Sequence, residues 1–324
     1  MTSRYPNIER QRSVNVARLL LKRRHRLHAS VAVAMGLLLL TLPIAQATTF
    51  GSAIRITTNT GYSEYPSVAA VGSNVYVAWG DNTPVTGSGA SYEVWLRVSS
   101  NNGVSFGSPI RITTNTGYSS DPSVAAIGNY VYVAWNDFTP VTGSGSAYEV
   151  WLRVSSNSGA SFGSPVRLTT NTGVSEYPSV AAVGSNVYVA WDDNTPVTGS
   201  GASYEIWLRV SSNNGASFGS AIRLTTNTGK SYNPSVAAVG TYVYVAWSDN
   251  TPITGSGGVE EIWLRVSSNT GASFGSAIRI TTNMGSSWDP SVAAIGSNVY
   301  VAWDDNTPVT GSGSAFEIWS RAGS

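Results

Sequence analysis

The sequence predicts an all-β fold, a five-bladed β-propeller, and three observations predict it. The string Pro-Ser-Val-Ala-Ala recurs at Pro66, Pro122, Pro178, Pro234 and Pro290, always 56 residues apart. A fixed period of that size is the signature of a repeat architecture. Each unit holds four short runs rich in Val, Ile, Tyr, Trp and Thr, punctuated by Gly, Asn and Ser, and none has helical periodicity. Finally, the last unit stops in its third run, while a copy of the fourth opens the first unit at the other end of the chain. Four strands per unit, repeated around an axis, is the propeller pattern.

The elements follow in order in the first unit. Pro66–Gly72 is a short strand of small residues (Ser67, Ala69, Ala70), suited to a crowded axis. Asn74–Trp79 is apolar on both faces, as a strand sandwiched between sheets should be. Glu93–Ser99 is the third strand and Phe106–Thr114 the fourth. Large aromatics such as Trp79 and Trp95 suit the wider space between the outer parts of blades. The N-terminal run Thr49–Thr57 is expected to pair into the last blade and close the ring. Closure removes the exposed edges that an open repeat would present. A solenoid or a domain-swapped assembly is the alternative.

Residues 1–47 read as a signal peptide and residues 48–324 as the propeller. The leader carries eight Lys/Arg and one acid, with a basic stretch at 22–26, an apolar run over about 31–42 and an Ala45-Gln46-Ala47 cleavage pattern. The apolar run is short for a membrane span, so no span is expected after cleavage; an uncleaved anchor is the alternative. Arg23-Arg24 allows twin-arginine as well as general secretory export. The expected location is therefore secreted, periplasmic or cell-surface.

Subtracting the leader changes the chemistry. The chain as a whole has a formal charge of +1, but residues 48–324 hold 11 Lys/Arg and 17 Asp/Glu, a net charge of −6. Both histidines lie in the leader, and there is no cysteine. The remainder therefore cannot run Ser-His-Asp or Cys-His catalysis or bind metal through His or Cys. It offers no basic patch to nucleic acid.

The turn between the third and fourth runs reads Ser99-Ser100-Asn101-Asn102-Gly103-Val104-Ser105-Phe106, with copies at 155–162, 211–218 and 267–274. It resembles the Asp-box, or BNR repeat, of sialidase-like propellers (S-x-D-x-G-x-[ST]-[WF]). Asn101, Asn157, Asn213 and Asn269 stand where that family has Asp. In the family the box is a structural turn. The resemblance also implies glycoside hydrolysis, but the catalytic pattern does not carry over. Sialidases hold a substrate carboxylate with three arginines near the axis, beside a Tyr/Glu nucleophile pair and an acidic Asp. Here no inner run contains Arg, and the family's (F/Y)-R-I-P motif is absent.

In an antiparallel blade, one face carries turns one–two and three–four, and the other carries connections two–three and four–one. The first face has tight turns (Gly72-Ser73 and 101–103); the second has the long loops 81–90 and 115–121. Long loops on a rigid scaffold are where binding concentrates. The copies differ most just before each Pro. There Glu64, Tyr65, Asp121, Glu176, Tyr177, Tyr232, Asn233, Trp288 and Asp289 form the expected ligand-binding rim.

Three columns repeat five-fold. Asp81, Asp137, Asp193, Asp249 and Asp305 precede x-Thr-Pro. They read as turn caps, with Ca²⁺ binding as the alternative and no other cofactor expected. The doublets Asp192-Asp193 and Asp304-Asp305 are the best placed if metal binds. Glu93, Glu149, Glu205, Glu261 and Glu317 open the third strand, and Arg97, Arg153, Arg209, Arg265 and Arg321 follow four residues on. Roughly 13 Å separates such positions along one strand, so each must find partners on other strands or blades. Arg55, Arg111, Arg167, Arg223 and Arg279, on the outermost strand, are expected at the surface.

The functional expectation is a monomeric, non-catalytic binding module for extracellular glycans or protein partners, working through its long-loop face. A glycoside hydrolase using rim carboxylates is the alternative, and a protein-interaction scaffold the second.

Overall fold

Each repeat folds as one antiparallel sheet whose strands lie side by side in chain order. The computed structural model describes residues 50–84, 91–140, 147–196, 203–252, 259–308 and 316–324. The leader and the loop tips 85–90, 141–146, 197–202, 253–258 and 309–315 lie outside the described residues. Residues 54–324 make one compact unit; of the other, 1–53, residues 50–53 are described and are irregular.

The first sheet is β1 (Ser63–Val71), β2 (Asn74–Asp81), β3 (Glu93–Ser99) and β4 (Ile110–Arg111). The second is β5 (Ser119–Ile127), β6 (Tyr130–Asp137), β7 (Glu149–Ser155) and β8 (Val166–Arg167). The third is β9 (Ser175–Val183), β10 (Asn186–Asp193), β11 (Glu205–Ser211) and β12 (Ile222–Arg223). The fourth is β13 (Ser231–Val239), β14 (Tyr242–Asp249), β15 (Glu261–Ser267) and β16 (Ile278–Arg279). The fifth has three strands, β17 (Ser287–Ile295), β18 (Asn298–Asp305) and β19 (Glu317–Gly323). Residues 54–57 form no strand.

The first two strands are longer than the sequence suggested. The rim residues belong to the inner strand itself, and the second strand runs on to its Asp. The fourth strand is shorter. Ladder pairing covers only Ile110–Arg111, although Gly107 and Ile112 still donate to Val98 and Val94 carbonyls at 2.9 and 2.8 Å.

Inner strands β1, β5, β9, β13 and β17 are neighbours in that order. Four cores fill the spaces between consecutive sheets. The first joins Tyr76, Val94, Leu96 and Ile112 to Val124, Val131, Val133 and Trp135 of the next sheet, and three others repeat it. The serine of each Pro-Ser-Val string ties the blades together: Ser67, Ser123, Ser179 and Ser235 Oγ accept from Val124, Val180, Val236 and Val292 N–H at 3.0–3.1 Å. The outward faces of the first and fifth sheets are open, with Val68, Ile318 and Trp319 exposed.

The Asn-containing turn is built by its own side chains. Asn101 Oδ1 accepts from Ser105 N–H at 2.9 Å and from Ser99 Oγ–H at 2.8 Å, and Ser99 Oγ accepts from Gly103 N–H at 2.9 Å. Gly159 of the second copy is favoured on two counts. Its φ is +83°, and a Cβ there would meet Tyr76 and Val98 of the first sheet at 3.2 and 3.1 Å. Asn102 N–H donates to Ser73 O, which puts both tight turns on one face.

The outer arginine column resolves differently from expectation in four of its five members, while Arg55 is exposed as expected. Arg111, Arg167, Arg223 and Arg279 are not surface residues. They pair with the buried Glu93, Glu149, Glu205 and Glu261, the first three at 2.6, 2.8 and 2.8 Å, and are only 15–17% exposed. Each glutamate also takes the hydroxyl of Thr113, Thr169, Thr225 or Thr281. Ladder register puts the arginine beside the outer tryptophan of the third strand, as in Trp95↔Arg111, so it reaches across to its glutamate. The other column does bond between blades: Arg153 Nη1 donates to Ile112 O at 2.7 Å. Among the described residues the Glu–Arg pair forms in four of the five sheets.

Removing one partner of a buried pair typically costs about 3–5 kcal/mol. Because Arg167 keeps some solvent contact and Glu149 keeps Thr169, Arg167→Ala should fall at the low end, about 3 kcal/mol. Glu149→Gln, which retains a hydrogen-bonding group, should lose less. Urea denaturation of both variants checks the order.

Candidate functional site

The long-loop face is defined by its own hydrogen bonds. Asn82 N–H donates to Tyr62 O at 3.1 Å and Ser119 N–H to Tyr92 O at 3.0 Å, so both long connections meet at one end of the sheets. The Asp column anchors this end. Asp81 Oδ2 accepts from Trp79 Nε1 at 3.1 Å, from Ser63 Oγ at 2.8 Å and from Asn59 Nδ2, while Oδ1 accepts from Thr83 N–H at 2.8 Å. Asp137, Asp193, Asp249 and Asp305 repeat the node, each in its own sheet. The five do not converge on a common point, and donors from the protein take up their oxygens. Burial pushes Asp81 and Asp305 upward, but the hydrogen bonds from Thr83, Ser63 and Trp79, and from Thr307, Ser287 and Trp303, outweigh it and hold both carboxyls below their ordinary range.

The rim does converge. The ladder of β1 on β2 shifts register between Glu64 and Ser67, and the other inner strands shift at the same place. At each bulge the residue before proline is left-handed: Tyr65, Asp121, Tyr177, Asn233 and Asp289 have φ of 50–53°. A left-handed non-glycine residue costs about 1–2 kcal/mol, and such geometry collects where function requires it. These five residues, with the proline after each and the serine after the first four prolines, line one cavity of about 530 Å³ on the axis side of the inner strands.

The residues one step earlier do not enter that cavity. Glu176 and Tyr232 line a second one, of about 400 Å³, between the third and fourth sheets. Glu64 accepts from Tyr92 OH at 3.1 Å, and Trp288 stacks on Phe316 with centroids 5.2 Å apart. The sequence reading missed a second aromatic tier. Tyr92, Tyr148, Tyr204 and Phe316 precede the Glu column in four repeats, with Glu260 in the other. Tyr118 lies 4.9 Å from Tyr92 and 6.1 Å from Tyr148 by ring centroid. The signal was legible as an aromatic residue recurring immediately ahead of the third strand in four of the five repeats.

Several carboxyls at this end stand above their ordinary range. Asp192 is well above it because burial strips it of water, and the charges of Glu176, Asp193 and Asp121 add to the effect. Burial likewise raises Glu176, helped by Asp121, and raises Asp121 itself. Burial and Asp289 raise Asp304. The Tyr177 phenol is pushed up to about 12 by burial and by Glu176 and Asp121, so it remains a neutral donor. No arginine lies on any inner strand.

Comparison with solved structures finds propellers. An α-L-arabinofuranosidase of Fusarium graminearum, in complex with arabinobiose, matches at TM-score 0.54 and 15% identity, over 79% of this chain and 80% of its own. The Trypanosoma rangeli sialidase with 2,3-difluorosialic acid matches at 0.51 and 12%, over 80% and 46%. The likeness is one of fold, a β-propeller. The chain spans about half the length of the sialidase chains it matches. No family model and no curated protein matches the sequence.

The raised carboxyls bind protons more tightly folded than unfolded. Their stabilisation is complete below the unfolded range and is lost as pH rises through the folded values. Asp81 and Asp305 act oppositely, their contribution being lost as pH falls through and below about 4. Calorimetric melting should therefore peak at mildly acidic pH and decline on both sides. Asp192→Asn should flatten the decline toward neutral pH.

Proposed function

We propose that this protein is an exported glycan-binding propeller that takes saccharide on its long-loop face, at the axial cavity and its aromatic rim. One observation carries the reading: five left-handed rim residues, two of them tyrosines, converge on a single cavity. Tyrosine rings beside carboxyl and amide groups suit sugar faces and hydroxyls. Near five-fold repetition suits several weak contacts acting together. The basic, then apolar, leader supports export, and a monomer needing no cofactor suffices for such a role. Ca²⁺ at the Asp column is the less favoured reading, because each Asp already has its donors. The turns at 99–106 are read as variants of the Asp-box.

Glycan array binding by residues 48–324, with and without Ca²⁺, tests the proposal. Tyr177→Gly removes the ring and suits the backbone, so binding should fall about tenfold or more while the melting temperature holds or rises. Absence of saccharide binding in every condition sinks the reading and favours a protein-interaction scaffold. Hydrolysis is the second reading, favoured by the raised Asp121 and Glu176, since a general acid must be protonated at working pH. Turnover abolished by Glu176→Gln would support it.

We also infer that Ile54–Thr57 docks on β19 to complete the fifth sheet. The register of the other sheets sets Ile54 opposite Ser320 and Arg55 opposite Trp319, and would bring Arg55 and Thr57 to Glu317. Ile54→Cys with Ser320→Cys should form an intramolecular disulfide in a monomer. A disulfide-linked dimer would instead indicate strand exchange.

A further inference from the structure

One repeat departs from the other four at the long-loop end. Opposite Glu64, Ser120, Glu176, Tyr232 and Trp288 across each inner hairpin stand Gly80, Asn136, Asp192, Ser248 and Asp304. Across this inner hairpin, only the third sheet sets two carboxyls against each other. Directly opposed residues of an antiparallel pair lie on the same face with Cβ atoms about 5 Å apart, where two like charges repel.

Asp192 is fully buried. Its Oδ2 accepts from Asn233 N–H of the fourth sheet at 3.0 Å. Its Oδ1 has no hydrogen-bond partner and no access to water, a costly state for a carboxyl oxygen. Asp192 and Glu176 both line the cavity of about 400 Å³ between the third and fourth sheets, with Tyr177, Tyr204, Tyr232 and Glu260. Glu260 accepts from Ser286 Oγ at 2.8 Å. Its hydrogen bonds overcome the effect of burial and hold it below the ordinary range, so it is ionised. Among the described residues the only cation lining the cavity is Lys230, which is exposed.

Three carboxyls and three tyrosine rings around one cavity call for a cationic donor. A positive charge relieves the carboxyl repulsion, its N–H bonds meet the vacant acceptor, and aromatic faces attract it. We propose that this cavity is a single site for a glycan unit bearing a protonated primary amine, an amino-sugar residue whose ammonium is held by the Glu176–Asp192 pair. The inference rests on the glycan-binding reading and names its ligand class. The groups that bear on Asp192 are Glu176, Asp193 and Asp121, with Lys230, Glu260 and the tyrosines around the cavity. Burial and mutual charge make Glu176 and Asp192 hold protons more tightly than usual; an ammonium set between them favours their ionised forms, so binding releases protons.

Titration calorimetry of residues 48–324 with a glucosamine tetrasaccharide and its fully N-acetylated counterpart tests this. The titrations are run near pH 6 in two buffers of different ionisation enthalpy. The free-amine sugar should bind one site per chain, about tenfold tighter than the acetylated one, with net proton release. Glu176→Gln, on a partly exposed residue, and Asp192→Asn, an isostere, should each erase the preference and the release. If Asp192→Asn does not fold, Glu176→Gln alone decides. Equal affinity for the two sugars, no proton release, or preference surviving in Glu176→Gln overturns the proposal. Ethanolamine binding as tightly as the tetrasaccharide overturns its sugar part. Neutral glycans bound with no amine preference would leave the glycan reading standing and remove this inference, whereas no saccharide binding at all removes both.

Discussion

No sheet in this protein can stand by itself, because its second strand is apolar on both faces. In β6, β10 and β14 every residue after the first is buried. A four-stranded sheet with two apolar faces must be covered on both, and the cover available is another copy of itself. This constraint produces the four inter-sheet cores and gives the serine of each Pro-Ser-Val string its bond to the next blade. It also marks the outward faces of the first and fifth sheets as surfaces that need a partner.

The same packing divides the molecule's two ends. At one end the Asn-containing turns press onto the preceding sheet so closely that a side chain at Gly159 would crowd Tyr76 and Val98. At the other, the Trp–Asp nodes fix the strand ends. The bulge before each proline then turns five left-handed residues toward one axial cavity. Rigidity and variability are thus assigned to different parts of one 56-residue unit. The strands repeat almost unchanged, while the rim is free to carry Tyr, Asp, Asn, Glu or Trp.

Charge follows the same division. Ten of the eleven cations outside the leader belong to the two arginine columns. Four of them hold buried glutamates, and Arg153 and Arg321 hold the backbone of a neighbouring blade. The long-loop end is left with carboxyls and one lysine, Lys230. Burial, and then the charge of neighbouring carboxyls, raises the proton affinity of Glu176, Asp192 and Asp304, which makes the face responsive to mild acid and receptive to neutral or cationic ligands.

The sequence by itself determined the repeat, the strands, the division into two faces and the capping role of the Asp column. Each is a local matter of period, residue type and turn chemistry that needs no knowledge of neighbours. The rim positions were legible too, as the places where near-identical copies differ. Tertiary structure alone decided who partners whom. Arg111 reads as a surface cation until the ladder sets it within reach of Glu93. Tyr92 and Tyr148 look like ordinary strand-flanking residues until both sit beside Tyr118. Glu176 and Asp192 are 16 residues apart in the chain and become direct neighbours only through hairpin register. The reason is that register and blade packing set these distances, and both depend on contacts between residues far apart in sequence.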